Sequence, residues 1–527
     1  MLKSLIWKIQ DNITTIDKAN YNSVYNDLKL NKILPLMSKE PNIKMTPDIF
    51  LKSLTNNMEN ILFRQCILEN FVKNKKIVME LAELIVLIDR MQGLHKILKP
   101  EARVPAMMLR LKKLEIYKSI MMKLEKVFSA NENSSANDDF SLLCQEIRKL
   151  NKANGISTLE KDIKKVKTII GKTKSIDIGA NIDEHDLREA IILSLNSFKY
   201  GKSDVIDKIS CGDADEYERK SIASEIDISS AGQLLIFENE LYRDLDSLLG
   251  KELSEIESLL NKYKNIITSE VLAYRDEICL YFGALKLREY LAFNDCETCL
   301  PTGSEATVLL GMYSINMLVE RNSSEKKQRY KVVRNSVSLT NDEDVMLITG
   351  PNNGGKTILV ESLGLIQLLY QNGMYIPASE GTLPIYNKIF THFPKDEDIT
   401  KGAGRLGEEA GRVRDILRKI KDRTLVILNE PYITTSPLEG RDILVNTIGK
   451  FRERGISMYL VTHYLDILNE MDSPDGIVSY VLEIDDGILT YIARKMLPMA
   501  DSHAMDVART HGVDFEGIMT LINDKAK

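Results

Sequence analysis

Apolar positions over the first 300 residues recur at helical spacing, and the chain reads as helix after helix. Between residues 57 and 94 the set Ile61, Leu62, Cys66, Leu68, Phe71 and Val72 is followed by Ile77, Leu81, Leu84, Ile85 and Ile88. The same period runs from Leu109 to Phe128, and the polar stretch from Ala130 to Asp138 interrupts it before a helix that opens near Asp139. Another helix is predicted from about Ser157 to Ile170. The period then changes. Lys174 to Asn181 alternates like a strand, and residues 196–230 are poor in large apolar side chains, as a small surface insert would be. From Gly232 to about Leu291 helical spacing returns, in proline-free tracts over Leu245 to Tyr263 and Val271 to Leu291. Long paired helices with an insert between them make a lever.

After Pro301 the pattern turns α/β. The short apolar runs Val345 to Ile348, Leu425 to Leu428 and Met458 to Val461, bounded by turn residues, read as parallel strands buried on both faces. A chain of 527 residues is too long for one core. Lys and Arg number 70 against 76 Asp and Glu, so any nucleic-acid surface must be local. No stretch holds 18 uncharged apolar residues; even Ile77 to Ile88 contains Glu80 and Glu83. The first residues reach Lys8 and Asp11 before a signal-type apolar core develops. A cytoplasmic chain without a membrane segment is expected. Six scattered cysteines fit reduced thiols, and the Cys296/Cys299 pair has no second pair or nearby histidine to complete a zinc site.

The chemistry concentrates in the C-terminal part. Gly350-Pro351-Asn352-Asn353-Gly354-Gly355-Lys356-Thr357 matches the phosphate-loop pattern, follows a predicted strand and opens a predicted helix running to about Gln371. Its backbone N–H groups, unobstructed at Gly354 and Gly355, can surround phosphate oxygens at a helix N-terminus. Lys356 would meet the β- and γ-phosphates of ATP, and the Thr357 hydroxyl would ligate Mg²⁺. The run Leu425 to Leu428 delivers Asn429-Glu430 to the strand end where an acid pair serves metal and attacking water. Glu430 is the candidate to position that water. Asn429 offers the metal an oxygen without the charge an aspartate would bring, which predicts weaker Mg²⁺ binding or slow hydrolysis. The third strand ends at Thr462-His463, which puts His463 at the carboxyl edge of the sheet, near the γ-phosphate.

In this order the three elements resemble the MutS family of DNA mismatch-repair ATPases. Similar words stand at Ile348 to Asn352, Tyr375 to Ala378, Ile389 to Thr391, Asp398 to Leu417 with Glu409, and Thr435 to Gly440. Asp501 to Arg509 followed by Gly512-Val513 looks like the family's closing helix. The resemblance covers roughly residues 305–520. It implies a homodimeric ATPase in which each nucleotide is sandwiched between the P-loop of one subunit and a signature segment of the other, here Gly402 to Glu409. The family usually has serine and threonine where this chain has Gly404 and Arg405; a glycine N–H can still reach a γ-phosphate, and Arg405 can add charge. No Phe-x-Glu wedge stands near the start, so no mismatch-recognition domain is expected. The insert, with Lys199, Lys202, Lys208, Arg219 and Lys220 among many acids, reads as a reduced clamp that meets DNA through backbone charge.

The expected architecture is multidomain: a helical core over residues 1–155, lever helices over 156–304 with a clamp-like insert at about 171–232, and an α/β P-loop NTPase domain of ABC/MutS type over 305–527, with C-terminal dimerisation helices. The expected function is ATP-dependent clamp movement on mismatched or branched DNA, in repair or recombination. The alternative is a nucleotide-gated dimeric scaffold that no longer binds DNA. A transport ATPase subunit is disfavoured, because Lys356 and Glu430 are 430 − 356 = 74 residues apart, which leaves little room for a large helical insert.

Overall fold

The computed structural model describes residues 4–9, 15–39, 43–74, 76–98, 100, 102–129, 139–183, 186–199, 242, 244–323, 332–394, 404–471, 473–485, 488–498, 512, 514–515 and 517–519. The stretch 83–275 makes one compact unit, and the chain on either side of it makes a second. A helical N-terminal region thus precedes mixed α/β structure.

The N-terminal helices are α1 (Tyr21–Asp27), α2 (Leu30–Ile33), α3 (Pro47–Lys52), α4 (Met58–Val72) and α5 (Ile77–Lys96). Thr46 caps α3 by accepting the Ile49 N–H at 3.2 Å, with Pro47 in the first turn, where its missing N–H costs nothing. Asn57 caps α4 through the Glu59 N–H at 2.8 Å. The periodic tract from 57 to 94 breaks once, where Asn74 accepts the Lys76 N–H at 2.9 Å and competes with the helical ladder.

In the 83–275 unit, α6 (Arg103–Ser129), α7 (Asp139–Ala153), α8 (Ile156–Ile170) and α9 (Gly250–Asn261) pack their apolar stripes together. Leu114, Met121, Leu124 and Val127 of α6 are buried, as are Ile147 of α7 and Leu159, Ile163 and Val166 of α8. The Phe128 and Phe140 rings stack with centroids 5.8 Å apart. The buried Asp162 accepts from the Tyr263 hydroxyl at 2.9 Å and from Lys262 at 3.0 Å, so its charge is compensated. The expected strand is β1 (Ser175–Asp183), and its antiparallel partner β2 (Asp186–Asn196) completes a hairpin. Residues 200–241, most of the expected insert, lie outside the described residues.

The second unit resumes with α10 (Tyr274–Phe293), β3 (Thr302–Gly303), β4 (Thr307–Met312), α11 (Ile315–Ser323), β5 (Asn335–Leu339), β6 (Val345–Thr349), α12 (Lys356–Gln371), β7 (Glu380–Leu383) and β8 (Lys388–His392). It continues with α13 (Gly404–Lys419), β9 (Thr424–Asn429), α14 (Pro437–Arg452), β10 (Ser457–Val461), β11 (Ile477–Asp485) and β12 (Ile488–Lys495). Six strands form one sheet in the order β12-β11-β6-β10-β9-β8, parallel except for the β11/β12 pair. A smaller sheet runs β3-β7-β4-β5. Every residue of β6 and β9 is buried, as a parallel strand covered on both faces must be. Val345, Leu347, Val426, Leu428, Met458 and Leu460 face Val413 and Ile416 of α13 and Leu444, Ile448 and Phe451 of α14.

On the other face lies α12, which has no solvent side from Leu359 to Gln371. A Cβ on Gly364 would stand 2.9 Å from Ile427 Cδ1 of the sheet and 2.6 Å from Leu28 Cδ2 of the N-terminal segment, so α12 is gripped between the two. Buried amides finish the contact. Gln371 Nε2 donates to the Thr55 and Tyr386 carbonyls, each at 2.9 Å, and Asn372 Nδ2 donates to the Phe50 carbonyl at 3.2 Å. No helix among the described residues is long and apolar enough to cross a membrane. Cys66, Cys144, Cys279, Cys296 and Cys299 are not in disulfides, and Cys211 lies outside the described residues.

Glu361, on the same helix, has a side chain only 7% exposed, and Lys29 Nζ approaches no closer than 3.9 Å. Burial raises its carboxyl from 4.5 to about 7 against the pull of Lys29 and Lys32, with Glu320 and Asp27 adding to the rise. The folded chain therefore holds a proton that the unfolded chain has released, and stability declines as pH rises from 4.5 to about 7. Glu361→Gln should remove this slope and stabilise the protein above neutral pH by up to about 3 kcal/mol. Urea midpoints of parent and variant at acid and alkaline pH check it; parallel pH dependences would contradict it.

Candidate functional site

Three strand ends share the carboxyl edge of the large sheet. β6 ends at Thr349, β10 at Val461 and β9 at Asn429, and they lie in that order. Topology therefore sets the phosphate loop, Thr462-His463 and Asn429-Glu430 side by side on the edge where open α/β sheets bind ligands.

The loop needs its glycines. Gly350 has φ +130° with Leu482 packed against it, and Gly355 has φ +96° with a Tyr491 ring carbon 3.4 Å from where a Cβ would sit. A Cβ on Gly354 would meet the Pro351 carbonyl at 2.9 Å. Asn353 takes φ +60°, a conformation asparagine tolerates better than most residues, and Asn352 beside it is exposed. Gly355 is the N-cap of α12, whose first-turn N–H groups have no partner within the helix and point toward the loop. Lys356 is 4% exposed and donates to the Gly350 and Pro351 carbonyls, both at 3.0 Å. Burial pulls its ammonium below the usual range, and the negative charge of Glu430 opposes that pull. A desolvated cation among backbone dipoles is a site for an anion.

Beside it the Thr357 hydroxyl donates to Asn429 Oδ1 at 3.3 Å. Two neutral oxygen donors thus meet at the strand end. Mg²⁺ takes one or two protein oxygens and completes its octahedron with water and phosphate, so the pair fits this ion. Glu430 follows with φ +48°, its N–H still bonded to the Val461 carbonyl at 2.9 Å. Its Oε1 lies 2.7 Å from His463 Nε2. That hydrogen bond holds the Glu430 carboxyl below its ordinary 4.5, while burial works upward and the charges of His463 and Lys356 work downward.

A cavity of about 260 Å³ opens next to the loop at Asn353 and Gly355. Its walls include Met312, Tyr313, Met317, Val332, Val333 and Tyr491. Asn335 closes one side: its Nδ2 donates to the Tyr491 carbonyl at 3.1 Å and its Oδ1 accepts the Ala493 N–H at 2.7 Å, tying β5 to β12. Sequence reasoning missed these residues. They come from segments far apart in the chain and carry no local motif.

Of the residues expected at the site, Gly350 to Thr357, Asn429, Glu430 and His463 lie at this edge. Gly404 and Arg405 open α13. Gly402 and Ala403, residues 501–511 of the expected closing helix, and Lys202, Lys208, Arg219 and Lys220 of the insert lie outside the described residues. Glu409 is buried on α13 and accepts from the Thr434 hydroxyl at 3.3 Å.

Two family profiles match the chain, one described as MutS domain V over residues 346–519 and one as MutS2 N-terminal domain over residues 56–293. Among curated proteins, Endonuclease MutS2 of Lactobacillus acidophilus is 27% identical over 300 residues, 55% of this chain and 37% of its own length. Endonuclease MutS2 of Caldicellulosiruptor saccharolyticus is 29% identical over 301 residues, 56% of this chain and 37% of its own. That of Halothermothrix orenii is 30% identical over 187 residues, 35% of this chain and 24% of its own. The chain therefore spans less than two fifths of the length of these relatives.

The Glu430 environment makes a measurable prediction. Replacing His463 with Ala removes the first cause that depresses the carboxyl and leaves burial, which outranks the pull of Lys356. The Glu430 side-chain carboxyl should then titrate above 4.5, as read by ¹³C NMR, whereas an unchanged titration would mean the 2.7 Å contact contributes nothing.

Proposed function

The chain belongs to the MutS family, and on that premise we propose that it is an ATPase that acts on DNA as a homodimer, with ATP bound and hydrolysed at the edge formed by β6, β10 and β9. The observation that carries this reading is the convergence of a buried Lys356, the Thr357–Asn429 pair and the Glu430–His463 pair at one sheet edge, with a cavity opening at Asn353 and Gly355 of the loop.

In this reading the loop N–H groups and Lys356 take the β- and γ-phosphates, and Lys356 exchanges its two carbonyl partners for phosphate oxygens. The apolar cavity takes the base, with the Tyr491 ring as one wall. Thr357 and Asn429 hold Mg²⁺, which when bound neutralises charge on the phosphate oxygens. Glu430 orients the attacking water and receives its proton, and His463 fixes the carboxylate that does so. Asn429 gives the ion an oxygen without charge, so turnover is slow. The N-terminus of α13, with Gly404 and Arg405, meets the nucleotide held by a second copy, and closing that contact moves the helical arms. The endonuclease activity in the relatives' name stays with those proteins, since the match accounts for 37% of the first two.

Lys356→Ala should abolish ATP binding in equilibrium titration. Glu430→Gln should keep binding, lower turnover by about 10²- to 10⁴-fold and accumulate a nucleotide-held dimer visible by light scattering. Parental turnover in that variant would remove Glu430 from its role. Asn429→Asp should lower the Mg²⁺ concentration needed for half-maximal turnover. The uncharged Asn429 also suits a second reading, a nucleotide-gated scaffold without DNA work. Gel shifts with linear, mismatched and four-way DNA separate the two, because binding that weakens with salt supports the first and its absence supports the second.

A further inference from the structure

We propose that Tyr464 is a positioning residue for the Glu430–His463 pair: its hydroxyl, seated over Gly440 and bonded to the Tyr432 carbonyl, locks together the two turns that carry them. The inference rests on the role given above to Glu430. The turn after β9 has two non-glycine residues in the left-handed region, Glu430 at φ +48° and Tyr432 at φ +62°. Each costs about 1–2 kcal/mol, so the surroundings must hold this turn.

One anchor is the Tyr432 side chain, 3% exposed, whose hydroxyl lies 3.3 Å from Thr447 Oγ1 of α14. The other is its carbonyl, which accepts the Tyr464 hydroxyl at 3.2 Å. Tyr464 is in turn fixed by its own N–H, donated to the buried Thr462 Oγ1 at 3.1 Å. His463 stands between these two tethered residues. Gly440 of α14 makes the geometry possible, since a Cβ there would lie 2.1 Å from Tyr464 Oη and 2.9 Å from the Tyr432 carbonyl oxygen. Arg441, the next residue, bonds Asp466 at 2.6 Å and reaches Glu470 at 3.1 Å, and so pins the far end of the His463 turn to the same helix. The carboxylate–imidazole distance of 2.7 Å is therefore set by a bond neither residue makes.

The test uses the full chain. Tyr464→Phe keeps the ring and removes only the hydroxyl; it should lower kcat for ATP hydrolysis about tenfold with KM for ATP unchanged, as expected when a catalytic group is displaced and binding is spared. The ¹⁵N signal of the His463 imidazole, read without turnover, should shift toward that of Glu430→Gln. Gly440→Ala should lower kcat similarly, and the double variant should be no slower than the slower single one, since both break the same bond. An unshifted imidazole signal with parental kcat in Tyr464→Phe would overturn the proposal, as would effects that multiply. If Glu430→Gln itself hydrolyses ATP at the parental rate, the role of Glu430 fails, and the imidazole signal alone still decides whether Tyr464 sets the pair.

Discussion

A helix that opens at a phosphate-loop motif presents that loop in one direction only if it is held still, and α12 is held because it has no solvent side from Leu359 to Gln371. The sheet covers one face through Ile427, and the N-terminal segment covers the other through Leu28. Close packing on both sides leaves no room for the helix to roll, so the direction of its first-turn N–H groups and the depth of Lys356 are fixed before any ligand arrives. The same constraint explains the chain's division. Residues before 83 fold with those after 275 because α12 would otherwise expose a hydrophobic face to water.

The electrostatics of the edge follow from this burial. Lys356 is a cation with only carbonyl partners and an opposing carboxylate nearby, and Glu430 is an anion kept ionised by an imidazole. A desolvated cation beside a carboxylate held by an imidazole is a polar environment organised before any ligand enters. Asn429 departs from the acid expected at a metal shell and keeps only an oxygen, bonded to Thr357. Neutral donors hold a divalent ion less firmly than a carboxylate does, so under the proposed reading Asn429 would weaken the metal site without removing it.

The two profile matches fall on different halves of the molecule, one on the helical tract and one on the α/β part. They agree with the change in hydrophobic period near Pro301. The phosphate-loop motif, Asn429-Glu430 and His463 lie within the second match, at strand ends. The pocket walls are drawn partly from residues 312–335, upstream of it.

The sequence by itself determined the local features. A glycine-rich loop between an apolar run and a helix, an Asn-Glu at one strand end and a Thr-His at another each need only their neighbours in the chain to be read, because the chemistry depends on spacing within a few residues. The helical periods also stood in the pattern, since one apolar stripe per helix is a local property. Tertiary structure alone decided that Glu430 meets His463, that Thr357 meets Asn429, that Tyr491, Val332 and Val333 wall one cavity, and that Leu28 covers α12. These pairs are separated by tens to hundreds of residues, and their meeting depends on strand order and on which element covers which face. A carboxylate and an imidazole at two strand ends become a pair only when a sheet puts those strands next to each other.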